Sequence, residues 1–579
     1  MTLPRSIAMR RVAMCVLSII LMAFPLAVGD NMVSIAFVVL QYSLIALGLN
    51  IIVGWTGLLD LGAAGFVAVG AYATAIYMTR FGLPPLVVFP ICLVAGFTAG
   101  ILLGIPTLRH RLDYFAVLTL GFAELVALAI RNWTPVTRGS FGYSGIPATT
   151  VPFHDAPLRT VPPIGFYYFA LAIAVPIYFF CIWLRHTPLG REFQIVKHSE
   201  TVGRVYGVNI LAVKLIAFSL SAGIISAGGF LWAIYQRSIV WTEFNVLLSC
   251  LLLSLLIVGG LGNPNGAIVG AAIVGSSLEL IRRFLTSFGF PQEIRYLMFA
   301  TALVVFIRVR PAGLLPDRPS WVPRLRRLDG RGVMEGDRVS CLGVEAGNVL
   351  EIEEVAKAFD SVKALQGFSL SIPHEACIAL IGPNGSGKTT LLNVICGLAR
   401  PDAGAIRYRN QRADKMPPFR LARAGLGRSF QDLSVCDDLT AEDNVFLTAR
   451  GVSPRLIASA LARFGIEDGS VPCGDLPYGK KKALDLARLF LQPSRLRVVL
   501  LDEPTAGLTQ REGQEVVRSL AALREWHRFA MLVISHDAMF LEALKPDRVV
   551  VIQQGKVFKD GELSTIRQDE DVRRLFWGN

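Results

Sequence analysis

The sequence predicts a polytopic α-helical membrane domain followed by an α/β P-loop domain, and three observations carry that prediction. Apolar residues make up 53% of the 579 and charged residues 17%, against roughly 45–50% and about 25% in soluble domains. The bias is uneven: before about Val309 the chain is a series of apolar runs with few charges, and from about Val349 it is mixed and charge-bearing. Within that second part an apolar strand pattern runs directly into Gly382-Pro383-Asn384-Gly385-Ser386-Gly387-Lys388-Thr389-Thr390, a glycine loop ending in a lysine and two hydroxyls. Such a chain is built for two solvents, and its length exceeds one ordinary domain.

The membrane domain is expected over residues 1–310. Apolar runs fall at 12–28, 32–53, 59–79, 85–105, 113–131, 164–184, 211–235, 244–262, 266–285 and 296–307, about ten stretches near the length a bilayer core requires. The run from Val12, preceded by Arg5, Arg10 and Arg11, resembles a signal peptide, but a second run begins at Met32 almost at once. It therefore reads as an uncleaved first span. With those arginines inside, an even number of spans also puts inside Arg109 and Arg111, the segment bearing Arg185, Arg191, Lys197, Arg204 and Lys214, and the tail from Arg308 to Arg327, as the positive-inside rule asks. Arg282 and Arg283 fit this topology poorly, since they then fall at an outer helix end, where snorkelling is their only accommodation.

Two acids stand out in this half. Asp60 lies in the glycine-rich stretch Gly54–Gly62, and Glu124 lies mid-span in Thr119–Glu124. A carboxylate at membrane depth faces either a bundle interior, as a helix contact, or a water-filled path. The segment Glu200–Asn209 reads as a short amphipathic helix ending at a glycine, on the inner side.

A net charge of +13 on such a chain reflects inner loops facing an anionic leaflet. Membrane lipid, not nucleic acid, is the expected partner. The nine cysteines are scattered singly with no C-x-x-C spacing, so neither a metal site nor a disulfide framework is expected.

Residues 311–348, rich in Pro, Gly and Arg without a sustained period, read as a linker. Over 349–579, short apolar strands alternate with helical stretches, the pattern of an α/β domain with a mainly parallel sheet. Gly382–Thr390 matches G-x-x-x-x-G-K-[ST] between strand and helix. In that loop Gly382, Asn384, Gly385, Ser386 and Gly387 turn backbone N–H groups toward phosphates. Lys388 reaches the β- and γ-phosphates, Thr389 is a Mg2+ ligand, and Thr390 continues the helix whose positive end faces the anion. A second strand, Arg497–Leu501, ends in Asp502-Glu503. The first carboxylate suits the Mg2+ shell and the second the polarisation of an attacking water. A third strand, Phe529–Ser535, delivers His536, a candidate γ-phosphate contact.

With Gln431 in Arg428-Ser429-Phe430-Gln431 and the segment Leu476-Pro477-Tyr478-Gly479-Lys480, these motifs stand in the order and spacing of the ABC transporter nucleotide-binding domain, which this half resembles over nearly all of 349–579. The resemblance completes the fold class as a polytopic α-helical membrane domain followed by an α/β P-loop ABC ATPase domain. It implies ATP and Mg2+ as cofactors, with Gln431 sensing Mg2+ and nucleotide, Phe359 stacking on adenine, and Pro477, Tyr478 and Gly479 facing a partner's ATP. The signature departs from L-S-G-G-Q: Pro477 has neither the hydroxyl nor the N–H of the usual serine. The tyrosine-glycine version is similar to that of branched-chain amino acid importer ATPases. Their permeases are resembled in turn by the Gly54–Gly62, Thr119–Glu124, Gly139–Pro147 and Gly259–Gly266 stretches and by the coupling segment Glu200–Asn209.

The resemblance implies an ATP-driven importer component with permease and ATPase fused, carrying branched-chain amino acids or a related small polar solute across a bacterial inner membrane, its ATPase cytoplasmic. A second permease, a second ATPase and an extracytoplasmic binding protein are the implied partners. Two alternatives stay open. An ABC exporter half-transporter would have six spans and long cytoplasmic helical extensions, against about ten spans and short inner loops here. A regulatory membrane-bound ATPase is opposed by the intact Lys388, Glu503 and His536.

Overall fold

The computed structural model describes residues 21–108, 112–147, 163–287, 294–317, 347–449, 452–491 and 496–576. The start of the first apolar run, the Arg109 and Arg111 loop, and residues 318–346 of the expected linker lie outside them. The chain divides into two compact units. One holds the chain up to Lys197 together with Leu211–Asp317; the other holds His198–Ile210 and the chain beyond Asp317.

In the first unit the remaining apolar runs are helices: α1 (Asp30–Leu49), α2 (Ala63–Arg80), α3 (Pro85–Thr107), α4 (Leu112–Asn132), α5 (Pro163–His186), α6 (Ile210–Gln236, whose Ile210 belongs to the second unit), α7 (Val246–Gly259), α8 (Pro264–Ser287) and α9 (Ile294–Val309). Six helices among the described residues are long and apolar enough to cross a membrane: Asp30–Gly54, Pro85–Thr107, Tyr114–Asn132, Ile164–His186, Ile210–Gln236 and Pro264–Ile281. Val246–Gly259 and Leu297–Val309 are shorter apolar helices.

Glycines set the closest helix approaches. A Cβ at Gly70 of α2 would lie 1.9 Å from the Ser226 carbonyl oxygen of α6, and one at Gly229 of α6 would lie 2.1 Å from that of Val67. Backbone meets backbone there, which only glycine permits. After α1 the helix widens into a π turn, Asn50–Gly54. The Asn50 side-chain oxygen accepts from the Gly262 amide at 2.8 Å, and the Trp55 indole donates to the Gly262 carbonyl at 2.8 Å. Two of the glycine-rich stretches singled out in the sequence thus hold one another. Asp60 is fully buried and accepts from the Gly62 amide at 2.8 Å, closing the turn that leads into α2. Residues at the head of the expected linker also pack here, with the Leu315 amide donating to Gly259 at 2.9 Å and Asp317 paired with Arg185.

In the second unit, strands β1 (Asn348–Phe359), β2 (Val362–Pro373), β4 (Ala403–Tyr408) and β5 (Gln411–Arg412) form a four-stranded antiparallel sheet in the order β2-β1-β4-β5. A six-stranded sheet contains β3 (Cys377–Ile381), β6 (Leu426–Arg428), β7 (Val498–Asp502), β8 (Ala530–Ile534), β9 (Arg548–Gln553) and β10 (Lys556–Gly561), ordered β10-β9-β3-β8-β7-β6. All its pairs are parallel except β9 with β10.

The central strands read as unbroken apolar runs because both faces are covered. Cys377, Ala379, Ile381, Val499, Leu501, Met531 and Val533 pack into one core, and Ile378, Leu380, Val498, Leu500, Leu532 and Ile534 into the other. Alternate side chains of each strand point to opposite faces.

Candidate functional site

Register brings the motifs together. Ile534 of β8 pairs with Leu380 of β3 on one side and with Asp502 of β7 on the other. The carboxyl ends of three adjacent parallel strands therefore lie level, and the next residues of each are the glycine loop, Glu503, and Ser535-His536. That edge is where open α/β sheets bind ligands.

From β3 the glycine loop turns into a helix, Lys388–Ile395, with Gly387 at its N-cap at φ +104°. A Cβ there would lie 2.3 Å from the Ala364 carbonyl oxygen. Lys388 Nζ donates to the carbonyls of Gly382 and Pro383 at 2.6 and 2.8 Å, folding its ammonium over the loop. Burial pulls its pKa below the ordinary lysine range, opposed by the charges of Glu503 and Asp502. The Ser386 hydroxyl is buried with no partner among the described residues. An ammonium, an unused hydroxyl and a helix N-terminus around one loop fit a phosphate chain. Asn384, Gly385 and Thr389 are exposed at its surface and Thr390 is half-buried.

Glu503, Gln431 and His536 converge. Glu503 Oε1 lies 3.2 Å from His536 Nδ1, and Gln431 Nε2 donates to Oε2 at 3.4 Å. The two carboxylate oxygens are thus held by different strands' loops. Glu503 sits at φ +45°, in the left-handed region that a non-glycine residue adopts at a cost, and its amide donates to Ile534 at 3.0 Å. Asp502, buried, is raised in pKa by burial, an effect opposed by Arg428, whose guanidinium stands 3.8 Å away.

Phe359 and the signature segment do not join this cluster: no hydrogen bond or ring contact among the described residues links them to it. Phe359 is exposed at the end of β1, with the Lys357 ammonium over its ring at 5.4 Å. Its exposure leaves a flat face free for stacking rather than core packing. Pro477 is the N-cap of the helix Tyr478–Phe490, which has no side-chain cap. Tyr478 is exposed and Gly479 is buried against Glu512, which a Cβ would strike at 2.1 Å.

Sequence reasoning missed a set of buried charges behind this site. Arg428 donates to Asn393 at 2.7 Å and stacks on Phe430 at 4.9 Å, bracing the strand that leads to Gln431. Lys482, fully buried, donates to the carbonyls of Phe430 and Gln431 at 3.0 and 2.9 Å. One and two turns further along that helix, Asp485 bonds the Ser434 hydroxyl and Arg488 donates to the Ser434 carbonyl at 2.6 Å. Arg488 also lies over the Tyr206 ring at 5.2 Å. The signature helix thus grips the loop bearing Gln431 at two points and meets the segment Glu200–Val205, whose following Gly207 carbonyl accepts from Arg423 at 2.9 Å. The available signal was three charges at spacing i, i+3, i+6 on the apolar stripe of an amphipathic helix.

Two family models match the chain. One, the permease component of branched-chain amino acid transport systems, covers residues 31–307; the other, ABC transporter, covers 365–506. The chain is 34% identical over 325 residues to the high-affinity branched-chain amino acid transport system permease protein LivM of Escherichia coli K12, covering 53% of this chain and 74% of that protein. With LivM of Salmonella typhimurium it shares 33% over 319 residues, 52% of this chain and 73% of that one. Its other part is 29% identical over 252 residues to the high-affinity branched-chain amino acid transport ATP-binding protein BraF of Pseudomonas aeruginosa, covering 40% of this chain and 98% of that protein.

Proposed function

Because this chain belongs to the family of branched-chain amino acid transport permeases and carries an ABC transporter ATPase in the same polypeptide, we propose that it takes up branched-chain amino acids, or a related small polar solute, across a bacterial inner membrane. The observation that carries the reading is the convergence of Gln431, Glu503 and His536 beside the glycine loop, in a chain whose other unit is a permease.

Gly382, Asn384, Gly385, Ser386, Gly387, Lys388 and Thr390 hold the phosphates of ATP, and Phe359 stacks on its base. Mg2+ would be held by oxygens of Thr389, Asp502 and Gln431, a hard donor set of the kind it prefers, and would supply neutralisation of phosphate charge. Glu503 takes a proton from the attacking water. His536 and Gln431 hold its carboxylate in place from either side, so the base is oriented before the reaction begins.

Pro477, Tyr478 and Gly479 face the ATP of a second ATPase subunit, which is why one chain is half of the working unit. A second permease and an extracytoplasmic binding protein complete the assembly. The ATPase lies on the cytoplasmic side, a reading supported by the clustering of His198–Ile210 with it and by the basic residues of the flanking segments. Fusion fixes permease and ATPase at one to one.

The test is uptake of a labelled amino acid panel by cells carrying the chain with its second permease, second ATPase and binding protein. Glu503→Gln is expected to lower uptake by about 10²- to 10⁴-fold, the contribution of a general base. Equal uptake by the variant, or efflux, overturns the reading.

A further inference from the structure

The two membrane acids part company in the structure. Asp60 is fully buried and one of its oxygens closes its own turn on the Gly62 amide, while its Oδ2 has no hydrogen-bond partner among the described residues. Glu124 is exposed. It is the eleventh of the nineteen residues in the span Tyr114–Asn132, one position from the midpoint, and that span is only 28% buried. Phe115, Thr119, Ala123, Ala127 and Ile130 make its buried stripe. Glu124 stands on the opposite, exposed stripe with Val117, Gly121 and Leu128. Among the described residues its carboxylate has no hydrogen-bond or ion-pair partner.

A carboxylate at mid-membrane depth does not face hydrocarbon; it faces another subunit or a watered path. The described residues of its own unit offer it no partner. Gly121, one turn earlier on the same stripe, leaves open space where a side chain would stand, with nothing within 4 Å of a Cβ. The stripe therefore presents one acid and open space at Gly121 among the exposed apolar side chains of Val117, Leu125 and Leu128. An ammonium joined to an aliphatic chain matches that lining, since small-molecule sites combine mostly apolar walls with a few fixed polar groups.

We propose that this stripe of α4 faces the second permease subunit across the solute path, and that Glu124 receives the ammonium group of the amino acid in transit. The proposal rests on the importer reading above and adds the residue and the ligand group.

The experiment uses the full complex in proteoliposomes, with leucine as probe. Glu124→Leu and the isosteric Glu124→Gln are each expected to raise the KM for leucine by about tenfold or more, the loss of one charge-assisted bond, while the complexes assemble and retain basal ATP hydrolysis. In a Glu124→Cys variant, compared with the parent chain, a charged membrane-impermeant thiol reagent is expected to label the new thiol, and leucine to slow labelling. An unchanged KM in both variants, or reaction of the Glu124→Cys thiol with lipid-soluble maleimides alone, overturns the proposal. If the parent complex takes up no amino acid, the importer reading fails instead, and the labelling still decides whether position 124 meets water or lipid.

Discussion

Lys482→Met tests whether the signature helix controls the catalytic loop. The lysine is fully buried and makes bonds of 3.0 and 2.9 Å to the carbonyls of Phe430 and Gln431. Hydrogen bonds to a charged donor are worth about 1.5–3 kcal/mol each. Against this stands the desolvation of the ammonium, whose pKa burial holds below the ordinary lysine range. Methionine has similar length and relieves that penalty, so the net loss is about 1–3 kcal/mol in holding the loop. If it falls on the arrangement that keeps Gln431 on Glu503, turnover drops roughly 5- to 150-fold. The assay is the ATPase kcat of the complex for Lys482→Met, Gln431→Ala and the double variant, with thermal unfolding measured alongside. A double variant no slower than Gln431→Ala alone is expected, because both changes disable one element. Multiplicative losses, or a lower melting temperature with normal kcat, would refute the reasoning.

Tyr206→Ala removes the ring beneath Arg488, a contact worth about 0.5–2 kcal/mol. ATP hydrolysis is expected to stay close to the parent's while leucine uptake falls by about 2- to 30-fold, the contact energy expressed as a rate, and parallel loss of both would contradict a coupling role. Because burial lowers the Lys388 pKa in the free protein, phosphate affinity is full at pH values below that lowered pKa and is lost as pH rises through it. Titrating a fluorescent ATP analogue from neutral to alkaline pH is expected to show weakening before the ordinary lysine range of about 10.4. Weakening only above it would count against the buried ammonium.

The site was legible in the sequence where its chemistry is local. The glycine loop, Asp502-Glu503 and His536 each follow an apolar strand run directly, so their place at strand ends could be read from spacing, and parallel register then levels them. Gln431 was legible only through resemblance, since nothing in Arg428-Ser429-Phe430-Gln431 announces that its amide meets Glu503. Lys482, Asp485 and Arg488 were passed over because charges on a helix are usually solvated; here they are buried, each bonded to the loop 430–434 or to its neighbours.

By itself the sequence determined the two solvents, the apolar runs, the nucleotide loop and the resemblance to importer ATPases and permeases, because each depends on composition or on residues close along the chain. Tertiary structure decided which acid closes a turn and which stands open, and that the short segment Glu200–Val205 packs with the ATPase unit rather than with the helices flanking it. It also decided that the head of the expected linker is bound to Gly259 and Arg185. These outcomes depend on contacts between residues far apart in the chain: Trp55 with Gly262, Tyr206 with Arg488, Asp317 with Arg185. Such contacts form only once helices and strands have packed, and neither periodicity nor spacing records them.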